Sequence, residues 1–381
     1  MNLKDFIAGK YVKQIEYSSF LPEKISKEWI ISSPKINSLL AEANRLLGEL
    51  NAFSQLIPDV DFFIKMHISK EATTSSRIEG TKTNMEEALL KEDDINPEKR
   101  DDWNEVQNYI RAINYSIEQL EKLPLSNRLL KNTHKVLLEG VRGKYKLPGE
   151  FRKSQNWLGA TLKDAIYIPP HQLDVPDLMS DLETFLNSTE FYVPHLIKIA
   201  IAHYQFETIH PFLDGNGRLG RLLITLYLVS NDILKKPALY LSDFFEKYRN
   251  YYYDNLMRAR LKNDLEQWVK FFLVGVIETS KSSIQVFKDI IQLKSEIENE
   301  KIPKLGSKAE KGIQLLNILF QNPIITSNKL VEEMQIAHST ANRLLSDFEK
   351  LEVIEEYTGF KRNRKFIFKE YFEIFNRGKN E

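Results

Sequence analysis

The strongest constraint on the fold of this chain is a short polar loop enclosed by two apolar helices. Apolar side chains recur at helical spacing between residues 194 and 209, and again between residues 218 and 231. The twelve residues from His210 to Arg221 lie at the junction and read His-Pro-Phe-Leu-Asp-Gly-Asn-Gly-Arg-Leu-Gly-Arg. The pattern predicts a mainly helical domain in which two buried helices hold this loop.

The loop contains the residue types that bind and transfer phosphate groups. A helix that begins near Asn216 offers free backbone N–H groups and a positive dipole end to an anion. Arg218 and Arg221 share one face of that helix, where a phosphate would separate their charges. Asp214 beside phosphates is typical of a Mg²⁺ ligand, and His210 is suited to accept a proton from an attacking hydroxyl. We interpret the loop as a site of nucleotidyl or phosphoryl transfer.

Each of these residues also has a simpler explanation. A single His near a helix end is often a structural hydrogen-bonding group, and two Arg residues on one face are often solvated. A Gly-Asn-Gly sequence is by itself a turn. The occurrence of all these residues together within twelve positions favours an active site.

Composition excludes several classes of protein. The 381 residues are enough for two or three compact units, and the 53 basic and 53 acidic residues cancel, so any nucleic-acid binding requires a local patch. There are no cysteines, which excludes disulfides, thiolate catalysis and Cys-type zinc sites. We find neither a signal peptide nor a membrane span and expect a cytoplasmic protein without membrane contact.

We predict four units along the chain. Residues 1–95 form an N-terminal helical region that opens with an irregular arm, and residues 96–280 form the catalytic core. Within the core, residues 149–170 have strand and turn composition and predict a small β-hairpin. Residues 281–306 are expected to form a connector helix and linker, whose apolar residues suggest a homodimer: Ile284, Val286, Phe287, Ile290, Ile291 and Leu293.

Residues 307–381 have the pattern of a winged-helix domain. Helices are predicted over about 308–321, 326–335 and 338–351, with Thr326 and Ser339 as N-caps, followed by strand-like segments at 353–357 and 365–368. Basic residues surround the turn between the strands, so duplex DNA could bind through residues 338–365: Lys361, Arg362, Arg364 and Lys365. Because 14 basic and 11 acidic residues from position 301 onward give a net charge of only +3, docking of a protein is an equal alternative.

The loop resembles the signature of the Fic family, His-x-Phe-x-Asp/Glu-Gly-Asn-Gly-Arg-x-x-Arg, and every fixed position is filled. Further similarities to Fic domains are Gly149-Glu150-Phe151-Arg152, Tyr167-Ile168-Pro169-Pro170 and Trp268 to Leu273. The resemblance implies a Fic-type helical bundle with a small β-hairpin flap. It also implies an enzyme that transfers AMP from ATP to a Ser, Thr or Tyr hydroxyl of a target protein.

The resemblance also assigns roles to individual residues. His210 would deprotonate the hydroxyl, Asp214 would hold Mg²⁺, and Gly215, Asn216 and Gly217 would bind the α- and β-phosphates of ATP. Arg218 and Arg221 would bind the outer phosphates, and Tyr252 and Tyr253 would line the adenine pocket. The flap would bind the target as an added strand through Trp157, Ile166, Tyr167 and Ile168.

A second segment, Ser75-Ser76-Arg77-Ile78-Glu79-Gly80, suggests regulation. Glu79 is expected in the last turn of a helix, where the dipole disfavours a carboxylate, so either solvent or a cation from elsewhere must stabilise it. The segment resembles the inhibitory pattern Ser/Thr-x-x-x-Glu-Gly/Asn of Fic proteins. That resemblance implies that Ser75 and Glu79 form an inhibitory site in which Glu79 pairs with Arg221 and keeps ATP misaligned.

Two other functions remain open on the sequence. The chain could be a DNA-binding transcriptional regulator that senses ATP, although a sensor needs no base at position 210. The same site could instead remove AMP from a target, with Glu79 positioning a water, or transfer another phosphate-containing group.

Overall fold

The computed structural model describes residues 1–56, 60–359 and 364–376. Its N-terminal and central helices are α1 Pro34–Leu56, α2 Val60–Ile78, α3 Met85–Leu89, α4 Arg100–Leu120, α5 Asn127–Leu137, α6 Val175–Asn187, α7 His195–Ile209, α8 Asn216–Ser230, α9 Ser242–Lys247, α10 Arg249–Lys262 and α11 Leu265–Glu296. The C-terminal helices are α12 Ala309–Gln321, α13 Ser327–Met334, α14 His338–Lys350 and α15 Lys369–Asn376. The strands are β1 Gly9–Lys13, β2 Ser18–Pro22, β3 Ile324–Thr326, β4 Glu355–Glu356 and β5 Lys365–Ile367.

Helices α7 and α8 form the centre of the molecule and confirm the two buried helices predicted around the loop. Every residue of α7 from Leu196 to Ile209 is buried. His210 ends α7 in the left-handed conformation at φ 51°, and Gly215, at φ 74°, directly precedes α8. Because α8 begins at Asn216, Arg218 lies in the first turn of this helix and Arg221 in the second.

Helix α11 crosses the predicted boundary at residue 280 without interruption. Its second half packs along α1, and α15 covers it further, so the side chains of Ile284, Phe287, Ile290 and Leu293 are buried. Of the residues in the predicted apolar face, only Ile291 is well exposed, with 44% of its surface accessible to solvent. The face that suggested a homodimer is therefore buried within the chain and no longer supports one. Among the described residues, no helix is long and apolar enough to cross a membrane.

The N-terminal arm and the flap differ from the prediction. The arm is not irregular, because β1 and β2 pair in an antiparallel hairpin. The flap forms no regular strands and is closed by a single antiparallel bridge between Leu158 and Tyr167. The arm lies against it, with the Phe20 amide donating to the Ile168 carbonyl at 2.9 Å. The flap is thus an irregular loop that the arm supports.

The C-terminal residues follow the order expected of a winged helix, with one strand that the prediction missed. Strand β3 lies between α12 and α13, and the antiparallel sheet has the order β3-β5-β4. Thr326 caps α13 as predicted, whereas Ser339 lies inside α14, whose N-cap is Ala337. Lys361 and Arg362, predicted in the turn between the last two strands, lie outside the described residues.

Candidate active site

The motif loop holds the backbone of His210 in place and leaves one nitrogen of its ring without a hydrogen-bond partner. The His210 carbonyl accepts hydrogen bonds from Arg152 Nε at 3.0 Å and from Asn156 Nδ2 at 3.1 Å. Its ring atom Nδ1 has no partner among the described residues. Burial, with smaller contributions from Arg260 and Arg152, lowers the pKa of His210 to about 4. The imidazole is therefore neutral at pH 7 and able to accept a proton.

The side chain of Asn216 fixes the shape of the loop. Its Oδ1 accepts from the Phe212 amide at 2.9 Å, and its Nδ2 donates to the Phe212 carbonyl at 2.8 Å. Both polar atoms of the Asn216 side chain, which was predicted to bind phosphate, are therefore already hydrogen bonded to the loop. The backbone N–H groups at the start of α8 are the donors of this loop that an anion could accept from.

His134, on α5, supports the loop and was missed by the sequence analysis. Its Nδ1 accepts from the Gly149 amide at 2.9 Å, so its Nε2 carries the proton and donates to the Asp214 carbonyl at 2.9 Å. The ring also stacks on Phe212, with 3.8 Å between ring centroids. Burial lowers the pKa of His134 to about 4, which keeps this donor and acceptor pattern at neutral pH.

Arg218 is held by carboxylates of the protein. Its Nη1 lies 3.1 Å from Glu105 Oε2, and its Nη2 lies 3.6 Å from Asp214 Oδ1. Glu105, on α4, also accepts from Arg142 Nε at 2.6 Å. The guanidinium of Arg218 is buried, and its Nε has no hydrogen-bond partner among the described residues. No local sequence signal indicated the Glu105 contact, because the two residues are 113 positions apart.

Asp214 is the carboxylate of the loop that faces solvent, with 41% of its side chain exposed. No group of three or more His, Asp or Glu side chains within the described part of the chain is arranged to hold a metal ion. A Mg²⁺ ion at Asp214 would therefore need phosphate oxygens and water as its other ligands, which is usual for this ion.

Arg221 connects the motif to the end of α2. Its Nε donates to Ser75 Oγ and its Nη2 to the Ser75 carbonyl, both at 2.8 Å, and Nη2 lies 2.7 Å from Glu79 Oε1. Burial raises the pKa of Glu79, but the Arg221 guanidinium outweighs it and holds this pKa below its usual range. Glu79 directly follows α2, and a Cβ at Gly217 would lie 2.3 Å from its Oε1. The carboxylate thus lies over the first turn of α8.

The two tyrosines predicted in the adenine pocket have different surroundings. Tyr252 is buried, its hydroxyl pairs with His203 Nε2 at 2.9 Å, and its ring stacks on Phe245 at 4.4 Å. Tyr253 is 40% exposed and lies 5.1 Å from Tyr252 between ring centroids. Tyr252 is therefore part of the core, and Tyr253 is the ring of this pair that a nucleotide can reach.

The flap residues also divide into exposed and buried side chains. Ile166 is 76% exposed and Trp157 is 40% exposed, whereas Tyr167 is only 2% exposed. The Tyr167 hydroxyl donates to the Thr208 carbonyl at 2.7 Å. The Tyr167 side chain therefore anchors the flap to α7, and the prediction that the flap binds the target as an added strand concerns the backbone of Tyr167, not its ring.

Two family models match consecutive parts of the chain. The model for the Fic/DOC family N-terminal region matches residues 37–118, and the model for the Fic/DOC family matches residues 124–228. The first match includes Ser75 and Glu79, and the second includes the whole motif loop.

Curated relatives and solved structures agree with these matches. Protein adenylyltransferase Fic of Aedes aegypti is 36% identical over 124 residues, which are 32% of this chain and 22% of that protein. Its counterpart in Drosophila willistoni is 27% identical over 233 residues, 60% of this chain and 41% of that protein. The chain thus spans less than half the length of either relative.

The solved structures support the fold alone. A Fic family protein from Desulfovibrio desulfuricans G20 superposes with a TM-score of 0.54 at 21% identity, covering 90% of this chain and 98% of that one. A Fic domain containing signaling protein from Bacteroides thetaiotaomicron has a TM-score of 0.53 at 17% identity, covering 67% of this chain and 97% of that one.

Proposed function

Because this chain belongs to the Fic/DOC family, we propose that it is a protein adenylyltransferase that transfers AMP from ATP to a hydroxyl group of a target protein. In this reaction the hydroxyl oxygen attacks the α-phosphorus, the bond between the α- and β-phosphates breaks, and pyrophosphate leaves. The observation that carries the proposal is a neutral His210 ring, with its Nδ1 unpaired, beside a helix start whose backbone N–H groups can bind an anion.

His210 is the proposed general base. Its neutral ring can take the proton of the target hydroxyl as the new bond to phosphorus forms. The backbone amides of Asn216 and Gly217 are proposed to bind the α- and β-phosphates at the start of α8, together with the Gly215 amide, which donates to Asp214 Oδ1 at 2.6 Å in this structure. Asp214 would hold Mg²⁺, which neutralises charge on the phosphate oxygens when it is bound.

Arg221 is the proposed point of control. Glu79 neutralises this arginine and lies over the first turn of α8, where the outer phosphates of ATP would approach. An ATP molecule that binds beside this ion pair meets a carboxylate in place of a free guanidinium. We infer that the α-phosphate is then poorly aligned for attack, and that basal AMP transfer is slow.

The test is to measure AMP incorporation from labelled ATP and Mg²⁺ into protein of a cell lysate. Glu79→Gly should transfer AMP faster than wild type, and His210→Ala should abolish transfer in both backgrounds. Glu79→Gln is a control that keeps the shape of the side chain but removes its charge, and it should give an intermediate rate. If the Glu79→Gly variant labels no protein, the proposal is refuted. If the His210→Ala variant still transfers AMP, His210 is not the general base.

A second reaction is favoured by the exposure of Glu79. Its side chain is 36% exposed, so the carboxylate can contact a water while it pairs with Arg221. In that case the chain would hydrolyse AMP from a modified protein. Release of labelled AMP from a pre-labelled target by wild type, lost in Glu79→Gly, would identify this activity.

Binding of duplex DNA by the C-terminal residues is a separate proposal. The start of α14 exposes His338, Ser339, Asn342 and Arg343, the polar residues that a recognition helix would present. Binding that weakens steeply as salt increases, and that Arg343→Ala reduces, would support a DNA-binding role. Binding that is absent at low salt would favour the protein-docking alternative.

A further inference from the structure

A strongly basic segment lies beside the motif loop of a chain whose overall charge is zero. Residues 128–153 contain eight Lys and Arg residues and only two Asp and Glu residues. Glu150 pairs with Lys153, and Glu139 lies 3.7 Å from Arg111. Both carboxylates of the segment therefore already have cationic neighbours.

Four lysines of this segment form what we call the basic rim: Lys131, Lys135, Lys144 and Lys146. No ion pair joins any of them to a carboxylate within the described ranges of the chain. Lys131 Nζ instead lies 4.0 Å from the centre of the Phe151 ring, and Lys144 Nζ lies 5.0 Å from that of Tyr145. Lys135, Lys144 and Lys146 are exposed, as is the Tyr145 ring at 83%. The rim thus presents unneutralised positive charge and an aromatic ring to solvent.

The basic rim borders the reacting centre on one side. A Cβ at Gly143 would lie 2.9 Å from Asp214 Oδ2, so the turn that carries Lys144 and Lys146 packs against the motif carboxylate. Phe151, under Lys131, lies 5.4 Å from the Phe212 ring of the loop. The flap contacts the same loop, where Asn156 Nδ2 donates to the His210 carbonyl at 3.1 Å and to the Phe212 carbonyl at 3.0 Å. The motif loop is therefore in contact with both the flap and the segment that carries the basic rim.

We infer that the target segment modified by this enzyme is acidic, with Asp or Glu residues that flank the hydroxyl and pair with the basic rim. The inference rests on the proposed function and names the class of its protein substrate. A segment that reaches His210 comes close to both the flap and the rim, and the flap offers the exposed apolar side chains of Trp157 and Ile166. The rim supplies charge, which attracts an acidic segment and repels a basic one.

ATP is the other anion that could use this charge. However, the arginines that the motif provides for phosphates, Arg218 and Arg221, are on α8, whereas the rim lysines are on α5 and the following turn. If the rim binds ATP, removing its charge should raise the KM for ATP. If the rim binds the target, removing its charge should change the selection among peptides. The two uses are therefore separable by measurement.

The test uses the Glu79→Gly protein and three synthetic peptides with the same central Ser, Thr and Tyr hydroxyls, flanked by Glu, Gln or Lys residues. Peptide affinity is measured by fluorescence polarisation and AMP transfer by kcat/KM, at low and at high salt. We expect the Glu peptide to be preferred over the Gln peptide by about tenfold at low salt and less at high salt.

The double variant Lys144→Glu/Lys146→Glu should lose this preference and leave the KM for ATP unchanged. Its matched control is Lys304→Glu/Lys311→Glu, which makes the same charge change at two exposed lysines near the start of the C-terminal region. The control should behave as the parent protein does.

Each outcome tests either the inference about the basic rim or the proposed AMP transfer. Equal affinity for all three peptides overturns the inference, as does a raised KM for ATP in the rim variant with peptide selection intact. An oligonucleotide that competes for the rim more strongly than the Glu peptide also overturns it, in favour of nucleic acid. Selective binding of the Glu peptide without transfer to any peptide or protein leaves the rim assignment standing and refutes the proposed function.

Discussion

The Ser75 hydroxyl offers the sharpest test of how α2 restrains Arg221. Arg221 is buried and makes three hydrogen bonds to the end of this helix, two of them to Ser75. Ser75→Ala removes the acceptor of the Nε donor but leaves the Ser75 carbonyl and the Glu79 carboxylate in place. The variant therefore weakens the contact without removing its charge.

The expected magnitude follows from the kind of bond that is lost. A hydrogen bond to a charged group contributes about 1.5–3 kcal/mol, and here the donor that remains is a buried guanidinium N–H without an acceptor. In Ser75→Ala, the state in which α2 restrains Arg221 should lose this much free energy of stabilisation relative to the state in which Arg221 is free to bind phosphate. Since 1.4 kcal/mol corresponds to a tenfold change in an equilibrium, basal AMP transfer should rise by about tenfold or more. The rate with Glu79→Gly is the upper limit.

The adjacent residue provides a matched control. Ser76 is also fully buried, and its hydroxyl has no hydrogen-bond partner among the described residues. Ser76→Ala makes the same chemical change one position away but removes no hydrogen bond. It should leave the basal rate unchanged and should not lower the melting temperature.

The assay is the initial rate of label transfer at saturating ATP, with the melting temperature measured on the same samples. Ser75→Ala should combine a higher basal rate with a lower melting temperature. If Ser75→Ala and Ser76→Ala have the same basal rate while Glu79→Gly is faster, the hydroxyl does not restrain Arg221, and the reasoning is refuted.

Three further predictions concern buried positions around the site. Gly220→Ala should lower the free energy of unfolding by about 1–3 kcal/mol in urea titrations, because the new Cβ would lie 2.2 Å from Glu207 Oε1; an unchanged value would mean that this carboxyl moves freely. Glu71→Gln should stabilise the protein more at pH 8 than at pH 5. Burial raises the pKa of Glu71 from 4.5 to about 7, so the stability that the protonated group contributes is complete below pH 4.5 and is lost as pH rises through 7. A melting-temperature difference independent of pH would contradict that shift. Glu105→Gln should cost about 3 kcal/mol of stability, because it removes the charge that compensates the buried Arg218; a change below about 1 kcal/mol would show that Asp214 suffices.

The local parts of the fold could be predicted from the sequence, and the contacts between distant segments could not. Helices α7 and α8 follow from the spacing of apolar residues, and the motif loop follows from its residue types. No alternation of apolar and polar residues indicates the pairing of β1 with β2. Contacts with distant residues, such as the hydrogen bond between Phe20 and Ile168, help to hold this hairpin, and the local sequence does not show them. The Arg218–Glu105 ion pair joins residues 113 positions apart, and a single sequence contains no signal for such a pair.

Two tyrosine side chains that were predicted at binding surfaces are instead buried. Tyr167 and Tyr252 were expected to contact the target and adenine, yet both hydroxyl groups are hydrogen bonded inside the core. A tyrosine has a large apolar body with one polar atom, so burial with a single partner satisfies it as well as a binding site does. Residue type therefore indicated which segments form the site but not which side chains face it.

Helix α2 connects the inhibitory contact to the C-terminal residues, and this connection gives a last prediction. The Phe63 ring of α2 lies 5.9 Å from Phe320 of α12, and the His67 ring lies 5.2 Å from Phe375 of α15. Glu79 follows the other end of the same helix, about 24 Å away at 1.5 Å per residue. A hydrogen-bonded helix bends little over this length, so its packing at one end helps to fix Glu79 at the other.

Phe320→Ala should therefore have two effects. It should cost about 3–5 kcal/mol of stability, because it leaves a cavity beside α2, and it should raise basal AMP transfer towards the Glu79→Gly rate. Ile313→Ala, on the same helix but 43% exposed, is the control and should change neither quantity by much. If Phe320→Ala lowers the melting temperature while the basal rate stays at the wild-type level, then the contacts near Glu79 position it unaided, and the C-terminal residues stabilise α2 without controlling the site.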